Sequence, residues 1–130
     1  MSPEFPRPPH PRHFVRHVTQ RSWAKSQNTV ILSSVNVPSD LAAIRRGEAT
    51  WDGSTYEVAG RVYGVEQAGR LYPIMGVGFM PLDRGGYRAL GVYNRFDLSA
   101  RASDILDAME ITEDARAAAR RVYEAERGLP

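Results

Sequence analysis

The stretch from residue 99 to residue 128, SARASDILDAMEITEDARAAARRVYEAERG, contains the strongest structural pattern in the chain. Its apolar side chains recur at the i, i+3, i+4, i+7 spacing of an amphipathic helix, first over residues 100–110 and again over residues 113–127. Ser99 and Thr112 stand where each of these helices needs an N-cap. The pattern therefore predicts a C-terminal helical hairpin.

The chain upstream of this hairpin is rich in β-branched and aromatic residues, which favour strands. The predicted strands lie over residues 29–37, on both sides of the turn signal Asp52-Gly53, and over residues 71–75, where Pro73 favours a sheet edge. The predicted short helices lie over residues 13–27, 40–46 and 87–96, and the glycine-rich residues 76–86 are predicted to form an irregular connection. Strands followed by helices indicate an α+β fold, with a small, mostly antiparallel sheet packed against helices.

The chain has 130 residues and no cysteine, which suits one domain without disulfides. The absence of cysteine also excludes a Cys-ligated zinc site and a thiol nucleophile. Five of its nine prolines lie in residues 1–12. Proline fixes φ and lacks a backbone donor, so these residues are predicted to form a flexible proline-rich arm, followed by a single α+β domain over residues 13–130.

The longest apolar stretch, residues 71–82, is 12 residues long and contains prolines and glycines. A membrane-spanning helix needs about 20 apolar residues. The first residues contain no apolar segment of the kind that secretory signals have. We therefore expect a cytoplasmic protein that makes no contact with a membrane.

Charge is unevenly distributed along the chain. Residues 1–25 contain five basic residues and one acidic residue, and residues 61–101 contain six basic and three acidic residues. Residues 102–130 contain seven acidic and four basic residues. A polyanion would be attracted to the first two segments and repelled by the last one.

The three histidines, His10, His13 and His17, all lie in the first basic segment. On a helix, His13 and His17 would share a face because they are four residues apart. That spacing suits two metal ligands, but no third ligand is evident and no metal is predicted. The pair also suits metal-independent RNA cleavage, in which one group removes the proton of a ribose 2′-OH and another protonates the leaving oxygen. The alternative is a solvated basic arm whose histidines have no role.

A second candidate site is the loop Asp83-Arg84-Gly85-Gly86, which leads into Tyr87 and Arg88. Glycines at the start of a helix let backbone N–H groups approach an anion, so Arg84, Gly85, Gly86 and Arg88 are predicted to bind phosphate. Tyr87 is predicted to stack on a base. The alternative is a tight strand-to-helix turn in which Asp83 pairs with an arginine.

The leading functional hypothesis is a small protein that binds or cleaves RNA, as a toxin-type, metal-independent endoribonuclease that needs no cofactor. In that hypothesis His13 and His17 transfer protons, and a nearby cation stabilises the transition-state charge. The local candidates are Arg16, Arg21 and Lys25, and the distant ones are Arg61, Arg84 and Arg88. The alternative hypothesis is a non-catalytic interaction module or small regulator. It would act through residues 99–128, whose alanine-rich stripe would allow a second copy or a protein partner to approach closely.

Overall fold

A computed structural model describes residues 5–129, and these residues form an α+β fold with two antiparallel sheets. The strands are β1 (Gln27–Ile31), β2 (Thr50–Trp51), β3 (Thr55–Val58), β4 (Arg61–Val65), β5 (Leu71–Gly76) and β6 (Phe79–Asp83). The helices are α1 (Val37–Arg45), α2 (Arg84–Phe96), α3 (Ala100–Ala108) and α4 (Glu113–Glu126). The predicted α+β class is confirmed.

The larger sheet has the strand order β2-β3-β4-β5, and every neighbouring pair in it is antiparallel. The predicted turn at Asp52 joins β2 to β3. The backbone N–H groups of Ser54 and Thr55 donate to Asp52 Oδ1 at 2.8 and 2.7 Å. The hydrogen bonds from Thr55 and Ser54 lower the pKa of Asp52 to about 2. At the other end of the sheet, β5 is an edge strand, as Pro73 predicts.

The second sheet consists of β1 and β6, and the prediction of an irregular connection over residues 76–86 was wrong. Gly76 and Gly78 have φ values of 125° and 81°, and they form the tight turn that leads into β6. The local sequence did not indicate this strand, because it contains Pro81 and its partner β1 lies about 50 residues earlier in the chain.

Alternate residues of these two strands pack into two different hydrophobic clusters. Val30 and Leu82 belong to a helical core, which they form with buried residues of α2, α3 and α4. Ile31 and Phe79 belong to a sheet core, which they form with α1 and the four-stranded sheet. The β1-β6 ladder therefore lies between the two cores, because neighbouring side chains on a strand point to opposite faces.

The two C-terminal helices begin at the predicted caps. Ser99 Oγ accepts from the N–H of Ala102, and Thr112 Oγ1 accepts from the N–H of Ala115. The alanine-rich stripe faces the interior of the chain, and Ala115 and Ala119 are buried in the helical core with residues of α2. The prediction that this stripe receives a second copy is corrected on that ground, since the stripe is already covered.

The N-terminal segment differs from the prediction in two ways. Residues 1–4 of the predicted arm lie outside the described residues, but the remainder of the arm is held by the sheet. The N–H of Arg7 donates to the carbonyl of Gly69 at 2.7 Å, and the N–H of Leu71 donates to the carbonyl of Arg7 at 2.9 Å. The predicted helix over residues 13–27 is replaced by two 3-10 turns, Pro11–His13 and Val15–His17. Within residues 5–129, every helix is too short or too polar to span a bilayer.

Candidate functional site

A surface cleft of about 510 Å³ brings the three histidines of the chain together. Basic and aromatic side chains also line this histidine cleft. They are Arg12, Arg21, Lys25, Arg70 and Trp23. Among the lining residues that the structure describes, Glu66 supplies the single carboxylate. The cleft thus combines imidazoles, positive charge and one acid, which are groups used in acid–base chemistry on an anionic substrate.

His13 lies between the histidine cleft and a neighbouring depression of about 480 Å³. Its Nδ1 atom is 3.2 Å from the carbonyl oxygen of Thr29. Because a carbonyl oxygen accepts only, we assign the proton to Nδ1, which leaves Nε2 as the acceptor. Burial lowers the pKa of His13 to about 4; the Thr29 hydrogen bond opposes this shift and the charge of Arg12 adds to it. At neutral pH the imidazole of His13 is therefore uncharged and can take up a proton.

His17 reaches the same cleft without sharing a helix face with His13. The two residues end consecutive 3-10 turns, and extended Phe14 separates these turns. His17 is exposed, and its ring meets the ring of Phe14 edge-on, with 6.3 Å between the centroids. Both histidines thus line one cleft, although the helical geometry behind the prediction is absent, and their catalytic role stays a prediction.

Residues 10–19, which contain the three histidines and are called the histidine segment below, are held by one face of helix α2. Tyr87, Gly91 and Asn94 lie on this face at the i, i+4, i+7 spacing. Asn94 Nδ2 donates to the carbonyls of Val15 and Val18, both at 2.8 Å. A Cβ on Gly91 would lie 2.6 Å from the carbonyl of Thr19, so only glycine allows this approach. The side chain of Asn94 binds carbonyls that a helix would use internally, which explains why the segment forms turns.

Buried Asn28 fixes the opposite wall of the cleft. Its Oδ1 accepts from Arg12 Nη2 at 2.5 Å and from the N–H of Lys25 at 2.9 Å, and its Nδ2 donates to the carbonyl of Lys25 at 2.7 Å. Arg12 also donates to the carbonyl of Trp23 through Nε and Nη2. These bonds hold the backbone of residues 23–25, and they leave the Trp23 side chain 76% exposed, with Lys25 Nζ 5.6 Å from its ring centroid.

Glu66 and Arg70 come from the turn between β4 and β5. The N–H of Glu66 donates to the carbonyl of Arg70 at 2.8 Å, which closes the turn. Arg70 Nη1 donates to the carbonyl of Pro8 at 3.1 Å. The turn therefore reaches the histidines because the N-terminal segment lies alongside it. This contact joins residues about 60 positions apart in the chain.

The predicted phosphate loop lies apart from the histidine cleft. Arg84 and Arg88 are exposed on α2, and they are not among the residues that line the cleft. Asp83 caps the helix, and its Oδ1 accepts from the N–H of Gly86 at 2.7 Å. Gly85 packs against α4, where an added Cβ would lie 3.1 Å from Ala115 Cβ. An acidic cap already occupies the helix start, so the geometry favours the strand-to-helix turn, and phosphate binding by Arg84, Gly85, Gly86 and Arg88 stays a prediction.

Tyr87 has no face for a base to stack on. Its side chain is buried, with 1% relative exposure, and its hydroxyl donates to the carbonyl of Arg12 at 2.7 Å. The guanidinium of Arg12 lies 5.1 Å from its ring centroid. The prediction of a stacking role is therefore corrected, because Tyr87 supports the wall of the cleft from inside.

Arg61 forms a structural ion pair within the fold, so its guanidinium is not available to bind an anion. Its Nε and Nη2 donate to both oxygens of buried Asp40 at 2.7 and 2.9 Å, and the hydroxyl of Tyr63 donates to the same carboxylate at 2.5 Å. The bidentate bond to Asp40 raises the pKa of Arg61. Its charge is neutralised within the fold, and the prediction that it stabilises a phosphorane is corrected.

Sequence reasoning missed two residues of the cleft, Trp23 and Glu66. For Trp23 a signal existed, because the run Arg21-Ser22-Trp23-Ala24-Lys25 alternates cations with an aromatic residue, as nucleic-acid-binding surfaces do. For Glu66 no local signal existed, because its place depends on the long-range contact of the β4–β5 turn with the N-terminal segment.

Within residues 5–129, no three His, Asp or Glu side chains are grouped in a way that would hold a metal ion. Comparison with protein-family models, curated proteins and solved structures finds no match to this chain, so its function is argued from the cleft alone.

Proposed function

We propose that this protein binds single-stranded RNA in the histidine cleft and cleaves it without a metal ion. The observation that carries the proposal is the convergence of His13 and His17 with free cations and an exposed tryptophan on one cleft. Acid–base groups and phosphate-binding charge are used by such a reaction, and a stacking surface contributes to binding of the strand.

In the proposed reaction, His13 Nε2 removes the proton of the ribose 2′-OH, and the 2′ oxygen attacks the adjacent phosphorus. The bond from phosphorus to the 5′ oxygen breaks, and protonated His17 gives its proton to that leaving oxygen. The products are a 2′,3′-cyclic phosphate and a free 5′-hydroxyl. A bound phosphodiester would raise the pKa of His13 above its value of about 4, since a nearby negative charge favours the imidazolium. Substrate would therefore make His13 a better base.

Arg21 and Lys25 are the cations assigned to the developing negative charge. Within residues 5–129, neither side chain forms an ion pair. Arg12 is less available, since Asn28 and the Trp23 carbonyl hold its guanidinium. The ring of Trp23 is the assigned stacking surface for a neighbouring base, with a sequence-tolerant contribution of about 1–3 kcal/mol.

The test is cleavage of an end-labelled RNA in the presence of EDTA by the full chain and by His13→Ala and His17→Ala. Each substitution is expected to lower the rate by about 10²–10⁴-fold, the usual contribution of a general acid or base. An RNA with 2′-O-methyl groups should resist cleavage, and the products should carry cyclic phosphate. Arg121→Ala, which changes an exposed cation on α4, is the matched control and should retain the full rate.

Undiminished cleavage by both histidine variants, with melting temperatures equal to that of the parent, would remove His13 and His17 from the mechanism. Absence of cleavage by the parent chain over a range of RNA sequences would refute the proposal. The double variant Arg84→Ala, Arg88→Ala tests the remaining prediction for that loop, as a reduction in RNA affinity.

A further inference from the structure

We infer that a second groove, lined by Arg16, Arg21 and Arg95, binds the phosphates of the RNA strand as it leaves the histidine cleft, so that the substrate is a strand of several nucleotides. The inference rests on the proposed function and names the substrate class of that site. The groove has a volume of about 530 Å³, and its other lining residues include Thr19, Gln20 and Asn94. We call it the arginine groove.

The charge of this groove is unopposed. Within the described residues, no carboxylate lines it, and none of its three arginines forms an ion pair. All three side chains are exposed, and Arg95 lies beside Phe96 with its guanidinium carbon 5.1 Å from the ring centroid. An unpaired guanidinium presents its donors in the planar arrangement that phosphate oxygens accept.

The arginine groove adjoins the histidine cleft. Arg21 lines both of them. Arg16 and His17 are neighbours in the 3-10 turn Val15–His17, and Arg16 lines the groove while His17 lines the cleft. A phosphodiester chain with its scissile group between the histidines therefore has positive charge along its path across residues 16–21.

The lining favours a nucleic-acid strand over a membrane surface. Thr19 and Gln20 are exposed polar side chains that can hydrogen-bond to sugar hydroxyls and phosphates. Neither of the two exposed tryptophans, the residue type that favours a bilayer interface, lines this groove: Trp23 lies in the histidine cleft and Trp51 lies on β2. The base-stacking and phosphate-binding surfaces are thus adjacent, as in proteins that follow a single strand.

The experiment measures fluorescence-anisotropy binding of a 12-nucleotide 2′-O-methyl RNA at several potassium chloride concentrations, for the parent chain, Arg16→Ala, Arg95→Ala and the control Arg121→Ala. Each groove variant should bind more weakly, and the slope of log affinity against log salt should become shallower by about 0.7 for each phosphate that the variant no longer neutralises. The control should keep the parental slope. Cleavage of a dinucleoside monophosphate, which fills only the histidine cleft, should be unchanged in the groove variants.

The outcomes separate the two proposals. Parental slopes in both groove variants, with dinucleotide cleavage intact, would overturn the groove and leave the proposed function standing. Groove-dependent binding without cleavage of any RNA would overturn the nuclease and leave the groove. Arginine-dependent binding to vesicles containing phosphatidylserine, strong enough to displace the RNA, would assign the groove to a lipid surface and overturn the inference.

Discussion

At the scale of single residues, the uncharged imidazole of His13 makes the stability of the fold depend on pH. The pKa of His13 is about 4 in the folded chain, against 6.5 for an exposed histidine, and burial is the main cause. Between these values the unfolded chain binds a proton that the folded chain does not. The free energy of unfolding should therefore fall as the pH is lowered from about 6.5 to about 4, by at most roughly 3 kcal/mol.

Urea unfolding at pH 7, 5.5 and 4.5 measures this effect, and His13→Asn should remove most of the change in that interval. Asparagine retains a donor for the Thr29 carbonyl but does not titrate. His17→Asn is the matched control and should behave as the parent chain, because His17 is exposed. His10 is unsuitable as a control, because its charge contributes to the lowered pKa of His13. Equal pH dependence in the parent and in His13→Asn would show that His13 titrates as an exposed histidine. Asp52, with its pKa of about 2, titrates below this interval.

At the scale of secondary-structure elements, α2 positions the histidine segment. Its exposed arginines Arg84 and Arg88, which were predicted to bind phosphate, do not line the cleft. Its inner face binds the carbonyls of the histidine segment and contacts the backbone at Thr19. Movement of this segment displaces His13 and His17 relative to Glu66, which a different element supplies. The geometry of the cleft is thus set by side chains that take no part in its chemistry.

We therefore expect Asn94→Leu to lower RNA cleavage at least tenfold, because leucine cannot donate to the carbonyls of Val15 and Val18 and adds no charge to the arginine groove. Gly91→Ala should have a larger effect and lower stability by about 1–3 kcal/mol, since its Cβ would overlap the Thr19 carbonyl. Ile44→Ala controls for reduced stability, because it opens a cavity in the sheet core, whose buried residues lie on α1 and the strands. It should cleave at the parental rate at temperatures where it is folded. Parental cleavage by Asn94→Leu would show that α2 does not position the histidines.

The elements that were predictable from sequence are those with local causes. The C-terminal helices follow from the caps at Ser99 and Thr112 and from their own apolar spacing, and the β2–β3 turn follows from Asp52. Strand β6 and the turns around His13 have long-range causes, namely pairing with β1 and the hydrogen bonds from Asn94. The composition of the site was thus partly foreseeable, but the residues that meet the histidines depend on contacts between distant segments.

At the scale of the whole molecule, ion pairing leaves the positive charge near the histidines. Arg61 is neutralised by Asp40, and Arg116 pairs with Asp107 at 2.9 Å, in the central and acidic parts of the chain. In the described part of the first basic segment, residues 5–25, no arginine or lysine forms an ion pair with residues 5–129. The positive charge of residues 5–25 is therefore not neutralised by ion pairs within the described residues, and the same holds for exposed arginines elsewhere, such as Arg84, Arg88 and Arg121.

The two hydrophobic cores should unfold together, because neighbouring residues of β1 contribute to both. Val30 is fully buried in the helical core and Ile31 is buried in the sheet core. Detachment of β1 would therefore remove buried contacts from both cores. In the variant Trp23→Phe, the remaining Trp51 reports on the sheet, since its ring centroid lies 4.5 Å from that of Tyr56. Circular dichroism at 222 nm reports mainly on the helices.

Urea unfolding of Trp23→Phe should give coincident midpoints for these two signals, as a two-state transition requires. Val30→Ala and Ile31→Ala should each shift both midpoints together, by losses of about 1–4 kcal/mol, although each side chain lies in only one core. Thr50→Ala, on exposed strand β2, is the control and should shift neither midpoint by more than about 0.5 kcal/mol. If Ile31→Ala moved the tryptophan signal alone, the cores would be independent units. The cleft would then span two independent units, because its histidine segment is held by α2 while Glu66 lies in the turn between β4 and β5 of the sheet.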